Sequence, residues 1–115
     1  MLKAGIAGLK RGKVYVDCFR KAGAEVTALC ATHEEVVKQA GEEFGISNLY
    51  TQYEDFLKSD IDIVVVSTPL PVHAEQSIAA LYSGKHVLSE VPPVNSLEEG
   101  LVLRKAVKET KKKYM

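Results

Sequence analysis

The 115-residue sequence has no tryptophan, two cysteines and no excess of charge of either sign. Fifteen basic residues balance fifteen acidic ones, so the chain lacks the basic field that nucleic acids and anionic membrane surfaces require of a partner. No hydrophobic run approaches the length of a membrane span, and the short apolar N-terminal stretch does not have the form of a secretion signal. We therefore expect a cytoplasmic globular protein that binds neither nucleic acid nor membrane.

With only two cysteines, we expect neither a disulfide-stabilised fold nor a cysteine-ligated metal site. Cys18 and Cys30 lack the paired spacing of a metal knuckle, and no two of the three histidines have the spacing of a metal pair on one helix. Each cysteine falls within an apolar pattern, so we expect two buried, reduced thiols and no metal site. A chain of this length buries roughly two-thirds of the surface of its unfolded form, which is enough for one domain with its own core.

Apolar residues alternate along the chain between the spacing of buried strands and that of helices. The clearest strand is Ile61–Ser67, because Ile63–Val66 is β-branched throughout and apolar on both faces. Strands are predicted at Leu2–Ala7, Glu25–Cys30, Asn48–Thr51, Ile61–Ser67 and His86–Ser89. Helices are predicted at Val14–Ala22, Glu34–Phe44, Tyr53–Leu57, Ala74–Tyr82 and from Ser96 to a solvated lysine-rich end at Lys111–Lys113.

The helical spacing also predicts which side chains face the core. They are Val14, Cys18, Phe19 and Ala22 in the first helix, Val36, Val37, Ala40 and Phe44 in the second, and Val102, Leu103, Ala106 and Val107 in the last. Ser96 and Glu99 have the spacing of a capping box, in which the hydroxyl and the carboxylate satisfy each other's backbone donors.

Strands that alternate with helices in this way predict a parallel sheet with right-handed crossovers and helices on both faces. We predict a single α/β domain, a doubly wound three-layer sheet of strand order 3-2-1-4-5. In that order the crevice of the sheet lies above the carboxyl ends of strands 1 and 4. Three turns are then expected to line it: Gly8–Gly12, Thr68–Pro71 and Glu90–Pro93.

The first of these turns, Gly8–Gly12, ends a buried strand and opens a helix. Glycine leaves the backbone bare at such a turn, and the N–H groups at a helix start bind anions. The turn is therefore interpreted as a phosphate-binding site. Its spacing departs from the G-x-G-x-x-G pattern, so a plain strand-to-helix turn with glycine for packing explains the stretch equally well.

Three segments, in their order and spacing, resemble the Gfo/Idh/MocA oxidoreductases over the whole chain. They are Gly8–Gly12, Ser67–Glu75 and Gly84–Pro92, the last followed by Ser96–Glu99. The resemblance implies a Rossmann domain that carries a nicotinamide dinucleotide, NAD(P), and that is followed in the family by a substrate domain. Family members oxidise or reduce sugars, polyols and related hydroxy compounds.

The chain has about the length of that cofactor domain. We expect residues 1–115 to be the NAD(P)-binding domain alone, inactive without the substrate domain that the family adds. The alternative is a non-enzymatic nucleotide-binding or dimerising scaffold. In either case the last helix and the sheet edge are expected to expose an apolar patch, and with it a tendency to form a homodimer.

The resemblance also implies a set of cofactor contacts. Gly8 and Gly12 would approach the pyrophosphate, and Glu90 would lie near the nicotinamide ribose. The full set is Gly8, Leu9, Lys10, Arg11, Gly12, Ala31, Thr32, His33, Thr68, Pro69, Leu70, His73, Glu90, Val91 and Pro92. Where the family places a lysine beside the reacting carbon, this chain has Val91, which cannot transfer a proton, so no catalytic residue is assigned.

The end of the second strand bears on the choice between NAD and NADP. A domain that selects NAD usually ends this strand with a carboxylate, which binds the ribose hydroxyls and repels a 2′-phosphate. Ala31 stands there instead, and the neighbouring Thr32 and His33 can donate hydrogen bonds, so the sequence favours NADP. NAD remains open if Glu34 or Glu35 reaches back to the ribose.

Overall fold

The computed structural model describes residues 1–115 and contains one five-stranded parallel sheet in the order β3-β2-β1-β4-β5. The strands are β1 (Lys3–Ala7), β2 (Glu25–Cys30), β3 (Asn48–Tyr50), β4 (Ile63–Val66) and β5 (His86–Ser89). The helices are α1 (Leu9–Lys21), α2 (Glu34–Phe44), α3 (Tyr53–Leu57), α4 (His73–Tyr82) and α5 (Leu97–Thr110), with a 3-10 turn at Leu70–Val72. The predicted fold class and strand order are confirmed. The predicted bounds of β2 and β5 are also confirmed, and those of the other three strands differ by one or two residues.

The register of the sheet places the ends of all five strands at one level. Ala7 pairs with Cys30 on one side and with Val66 on the other. Cys30 then pairs with Tyr50, and Val66 with Ser89. Because every pairing is parallel, the segments that follow the five strands leave the sheet along the same edge.

Two layers of side chains cover the sheet. Ile6 and Val65 belong to a cluster with α1 and α2, whereas Val64 and Val66 belong to a cluster with α3, α4 and α5. Successive residues of a strand point to opposite faces, so a strand that is apolar throughout feeds both layers. β4 is such a strand, as its β-branched sequence predicts. Phe56 of α3 is fully buried in the second of these clusters.

The predicted inward face of α1 is wrong at Val14, Cys18 and Ala22, whereas Phe19 packs against the core as predicted. Leu9, Gly12 and Val16 are buried, whereas Val14 is 60% exposed and the Cys18 thiol faces solvent. The helix begins at Leu9, directly after the glycine of the turn, and its buried stripe follows from that start. A small residue at position 12 is part of the stripe, which a search for large apolar residues does not detect.

The outer helices correct two further positions. Val37 and Ala40 of α2 are buried as predicted, but Val36 is exposed. In α5 only Leu103 and Ala106 are buried. Val102 is exposed and does not face the core.

The α5 surface carries the expected apolar patch. Leu97 is 79% exposed, and Leu101, one turn further along, is also exposed. Together with Val102 they form an apolar stripe that no element of this chain covers. Dimerisation through it stays a prediction.

The sequence predicts that the last helix continues through the lysine run, and this prediction is wrong. α5 ends at Thr110, and Lys111 adopts a left-handed φ of 58°. The chain then returns along β5, where the Val87 N–H donates to the Lys113 carbonyl and the Met115 N–H donates to the Val87 carbonyl, both at 2.9 Å. These bonds occupy backbone groups of a strand that would otherwise be a free edge. None of the helices has the length and apolar character needed to cross a membrane.

The β1–α1 turn lies directly against the end of β4. Gly8 has a φ of +88°, and a Cβ built on it would lie 2.5 Å from the Ser67 carbonyl oxygen. A Cβ on Gly12 would lie 2.5 Å from Ser67 Oγ. The single proton of that hydroxyl is shared between the carbonyls of Ala7 at 2.9 Å and Gly8 at 2.7 Å. The space that glycine leaves at these two positions is therefore filled by β4.

This contact predicts that Gly8→Ala damages the fold. The new Cβ meets fixed backbone at a positive φ, so we expect the free energy of unfolding to fall by roughly 3 kcal/mol. Gly23→Ala is the matched control, because Gly23 has a φ of +90° but no atom within 4 Å of the added Cβ. It should lose only about 1 kcal/mol, from backbone strain. Urea unfolding measures both, and equal losses would contradict the contact.

The capping box is confirmed in one half and shifted in the other. The Ser96 hydroxyl accepts from the Glu99 N–H at 3.1 Å, as predicted. The Glu99 carboxylate accepts from the N–H of Asn95 at 2.6 Å, one residue earlier than the predicted partner. The start of α5 is thus held by two side chains.

Ser96→Ala should lower the free energy of unfolding by about 1 kcal/mol, because the Glu99 N–H loses its acceptor. Ser47→Ala is the control, since Ser47 is exposed, lies outside every helix and makes no side-chain hydrogen bond. Its substitution should leave the urea midpoint unchanged. Equal midpoints for the two variants would show that the Ser96 hydroxyl does not stabilise α5.

Candidate functional site

A groove of about 1150 Å³ lies above the carboxyl edge of the sheet. Its size is suited to a ligand at the upper end of the range for small-molecule sites. Its lining comes from the segment after each strand: Gly8–Arg11, Ala31–His33, Thr51–Tyr53, Ser67–Leu70 and Glu90–Pro92. The common level of the strand ends accounts for their meeting in one place.

The groove brings together every residue of the predicted cofactor set except Gly12, which is buried against Ser67 beneath it. Ten further residues line the groove and are not in the predicted set: Ala7, Lys13, Cys30, Val36, Gln39, Thr51, Gln52, Tyr53, Ser67 and Gln76. Lys13 and Gln76 stand about one turn after the first residues of α1 and α4. Both helices start at the groove, so a residue one turn further along lies on the same side of the helix. This spacing in the sequence could have predicted both residues.

The start of α1 presents backbone donors to the groove. The first N–H groups of an α-helix have no acceptor within the helix. The N-cap residue here is Gly8, which has no side chain to satisfy them, and no acid occupies the first turn. Lys10 and Arg11 occupy it instead, although the helix dipole favours acids at this end. Both features suit a bound anion. The Gly8 N–H is not among the free donors, because it donates to the Cys30 carbonyl at 2.9 Å.

The charged side chains of the groove are mostly basic. Lys10, Arg11 and Lys13 line it, and Glu90 is the single carboxylate among the lining residues. Lys13 also pairs with Glu43 of α2, at 3.2 Å between Nζ and Oε1, in an exposed contact that contributes little energy. The arrangement favours a ligand with more than one negative charge.

Glu90 is held in place by its backbone and its side chain. Its N–H donates to the Val66 carbonyl at 2.8 Å, which continues the β4–β5 ladder by one residue. Its Oε1 accepts from the hydroxyl of Tyr15 in α1 at 2.5 Å. This hydrogen bond, with a contribution from burial, raises the pKa of Tyr15 to about 12. The phenol therefore keeps its proton at neutral pH.

His73 lies under the groove at the start of α4 and is buried. Its Nδ1 is 2.9 Å from the Pro92 carbonyl, and its Nε2 is 2.5 Å from the Thr68 carbonyl. A carbonyl only accepts, so a neutral ring donates to one of them and a doubly protonated ring donates to both. With its proton on Nδ1, the ring donates to the Pro92 carbonyl and connects the start of α4 with the loop after β5.

At the opposite end of the groove, the loop after β2 contributes no carboxylate. Glu34 Oε1 lies 3.0 Å from Lys38 Nζ on the outer surface of α2, and neither Glu34 nor Glu35 lines the groove. The adjacent Cys30 thiol is buried, and this burial raises its pKa to about 11, so it stays neutral. Ala31 is thus the residue at the strand end that faces the groove.

The loop after β5 contains Val91, at the position where the family motif has a lysine. Val91 is 78% exposed at the groove and makes no polar contact through its side chain. The peptide bond between Val91 and Pro92 is cis. No cluster of three or more His, Cys, Asp or Glu side chains is arranged to hold a metal ion.

Comparison with known proteins gives one consistent result. The model of the oxidoreductase family with an NAD-binding Rossmann fold, Gfo/Idh/MocA, matches residues 2–115. The glycosyl hydrolase family 109 protein 1 of Shewanella sp. (strain ANA-3) is 35% identical over the whole chain, which spans 28% of that protein.

Solved structures are similar to this fold over nearly its whole length. The scyllo-inositol dehydrogenase of Lactobacillus casei, with NAD(H) and scyllo-inositol, has a TM-score of 0.93 at 27% identity, over 100% of this chain and 35% of that one. The WlbA dehydrogenase of Bordetella pertussis, with NADH and UDP-GlcNAcA, has a TM-score of 0.91 at 26% identity, over 98% and 36%. The chain spans about a third of these proteins. With the matched family model and the groove at the switch point of the sheet, it belongs to the Gfo/Idh/MocA oxidoreductase family as an NAD-binding Rossmann domain.

Proposed function

We propose that this chain is the nicotinamide dinucleotide-binding domain of an oxidoreductase that acts on a sugar, a polyol or a related hydroxy compound. The observation that carries the proposal is the uncapped start of α1, flanked by Lys10, Arg11 and Lys13, in a groove large enough for a dinucleotide. The two relatives solved with NADH or NAD(H) and a sugar derivative or an inositol support the same substrate class.

Different parts of the groove would bind different parts of the dinucleotide. The N–H groups at the start of α1 would bind the diphosphate, and the basic side chains beside them would offset its charge. Glu90 would accept a hydrogen bond from the ribose on the nicotinamide side. When bound, the nicotinamide supplies hydride transfer, which is the cofactor's own chemistry.

Turnover needs groups beyond these 115 residues. Val91, at the position of the family's lysine, cannot donate or accept the hydroxyl proton. An open groove also does not hold a substrate carbon against the nicotinamide. We therefore propose that the chain alone binds the cofactor but is inactive without a substrate domain.

A second candidate function comes from the sequence relatives. Glycosyl hydrolase family 109 proteins are 35% identical, more than the solved dehydrogenases at 26% and 27%. We propose as the alternative that the protein containing this chain cleaves glycosidic bonds. The two functions differ in product, because a dehydrogenase with a free sugar changes the absorbance of NAD(P)H at 340 nm, whereas a hydrolase releases the aglycone of a nitrophenyl glycoside.

Titration of the 115-residue chain with NADH and with NADPH tests the cofactor assignment. We expect saturable binding of a dinucleotide, weaker at high salt because the phosphates meet Lys10, Arg11 and Lys13. Dinucleotide binding should also raise the midpoint of thermal unfolding. A chain that unfolds cooperatively but binds neither dinucleotide would favour the scaffold hypothesis and overturn this proposal.

We further propose that NADPH binds more tightly than NADH. Ala31 leaves no carboxylate to repel a 2′-phosphate, and Glu34 is engaged with Lys38 away from the groove. The NADH and NAD(H) of the solved relatives were bound by those proteins and do not decide the preference of this chain.

Ala31→Asp should reverse the preference. A carboxylate beside the 2′-phosphate should raise the Kd for NADPH by about tenfold or more, since like charges at this range repel by more than 1.4 kcal/mol. The Kd for NADH should stay the same or fall. Ala31→Asn is the control of equal size without the charge, and it should leave NADPH binding nearly unchanged. A wild-type chain that prefers NADH would contradict the NADP proposal alone.

A further inference from the structure

Tyr15 lies outside the groove and holds Glu90, the single carboxylate that lines it. It lies on α1, partly buried against the α1–α2 layer of the core, and it is not part of the groove lining. Its hydroxyl donates to Glu90 Oε1 at 2.5 Å, across 75 residues of sequence. Glu90 Oε2 has no hydrogen-bond partner within the protein.

We propose that Tyr15 is a positioning residue for the nicotinamide half of the dinucleotide, fixing Glu90 through Oε1 so that Oε2 is presented to the ribose hydroxyls. This inference rests on the proposed function. It adds a residue that neither lines the groove nor contacts the ligand.

The chemistry of the pair suits this task. A tyrosine hydroxyl is protonated throughout the neutral range, so it donates there, and the hydrogen bond to Glu90 raises the pKa of Tyr15 further, to about 12. An ionised carboxylate is an acceptor at both oxygens, and engagement of one by a donor leaves the other for a ligand. Without that donor, a glutamate side chain populates several rotamers and must be ordered when the ligand binds.

The backbone of the Glu90–Pro92 loop does not depend on Tyr15. The Glu90 N–H donates to the Val66 carbonyl at 2.8 Å, and the Pro92 carbonyl lies 2.9 Å from His73 Nδ1. Loss of the phenol hydroxyl should therefore free the Glu90 side chain and leave the loop in place. Tyr15→Phe keeps the ring that packs on the core and removes only that hydroxyl.

Three ligands separate positioning from a general structural effect. ADP lacks the second ribose, ADP-ribose has it, and NADPH has both that ribose and the nicotinamide. For Tyr15→Phe we expect the Kd of ADP-ribose and of NADPH to rise about fivefold and the Kd of ADP to stay unchanged. Equal rises for all three ligands, or no rise for any, would overturn the positioning role.

The chain offers a matched control in a second tyrosine–glutamate pair. The Tyr82 hydroxyl donates to Glu109 Oε2 at 2.6 Å on the exposed surface of α4 and α5. Tyr82→Phe removes the same kind of hydrogen bond away from the groove, and it should change none of the three Kd values. Thermal unfolding of both variants checks that each is folded at the temperature of the titration.

A double-mutant cycle tests whether Tyr15 acts through Glu90. In a Glu90→Ala background, Tyr15→Phe should have no further effect on ADP-ribose binding, because the oriented carboxylate is already gone. Additive effects would overturn the proposal, since Tyr15 would then act by another route. A wild-type chain that binds none of the three ligands would instead remove the proposed function, and this inference with it.

Discussion

The structure depends on close contact between the β1–α1 turn and the end of β4. The Ser67 hydroxyl shares its proton between the carbonyls of Ala7 and Gly8, and Gly8 and Gly12 have no side chains to keep the segments apart. This contact sets the height at which α1 begins, directly over the sheet. The helix start, its free N–H groups and the loops after β4 and β5 therefore share one groove. The sequence left packing and anion binding as alternatives for the glycine turn. Packing uses the space at Gly8 and Gly12, and the proposed anion binding would use the free N–H groups at the start of α1.

The layer structure was predictable because it follows from local periodicity. Ile63–Val66 is apolar on both faces and could only be a central strand, and the alternation of strands with helices fixes a parallel sheet. It was harder to predict which side chains of each helix face the core. Val14 and Cys18 share a helical spacing but face solvent, because the buried stripe of α1 includes a glycine. Long-range backbone pairing could not be predicted either. The segment around Lys113 pairs with β5, but nothing in its lysine-rich sequence indicates a strand.

The candidate site was predictable where it follows strand ends and hidden where it comes from helices. Residues next to a strand end reach the groove whatever their type, so motif spacing was enough for Thr68 or Glu90. Lys13 and Gln76 depend on helix phase, and the Tyr15–Glu90 bond depends on two elements far apart in sequence. Pairwise contacts of this kind arise from the packed structure, and a single sequence has no local pattern that reports them.

The Ser67 bridge also affects the thermodynamics of ligand capture. Its hydroxyl, both carbonyls and the adjoining turn are already immobilised, so the floor of the groove is pre-organised and needs little reorganisation when a ligand arrives. The side chains of Lys10 and Arg11 are exposed and make no ion pair. In the proposed binding of a dinucleotide, the entropic cost of association would therefore fall on these two flexible cations, because the backbone donors beneath them are already ordered.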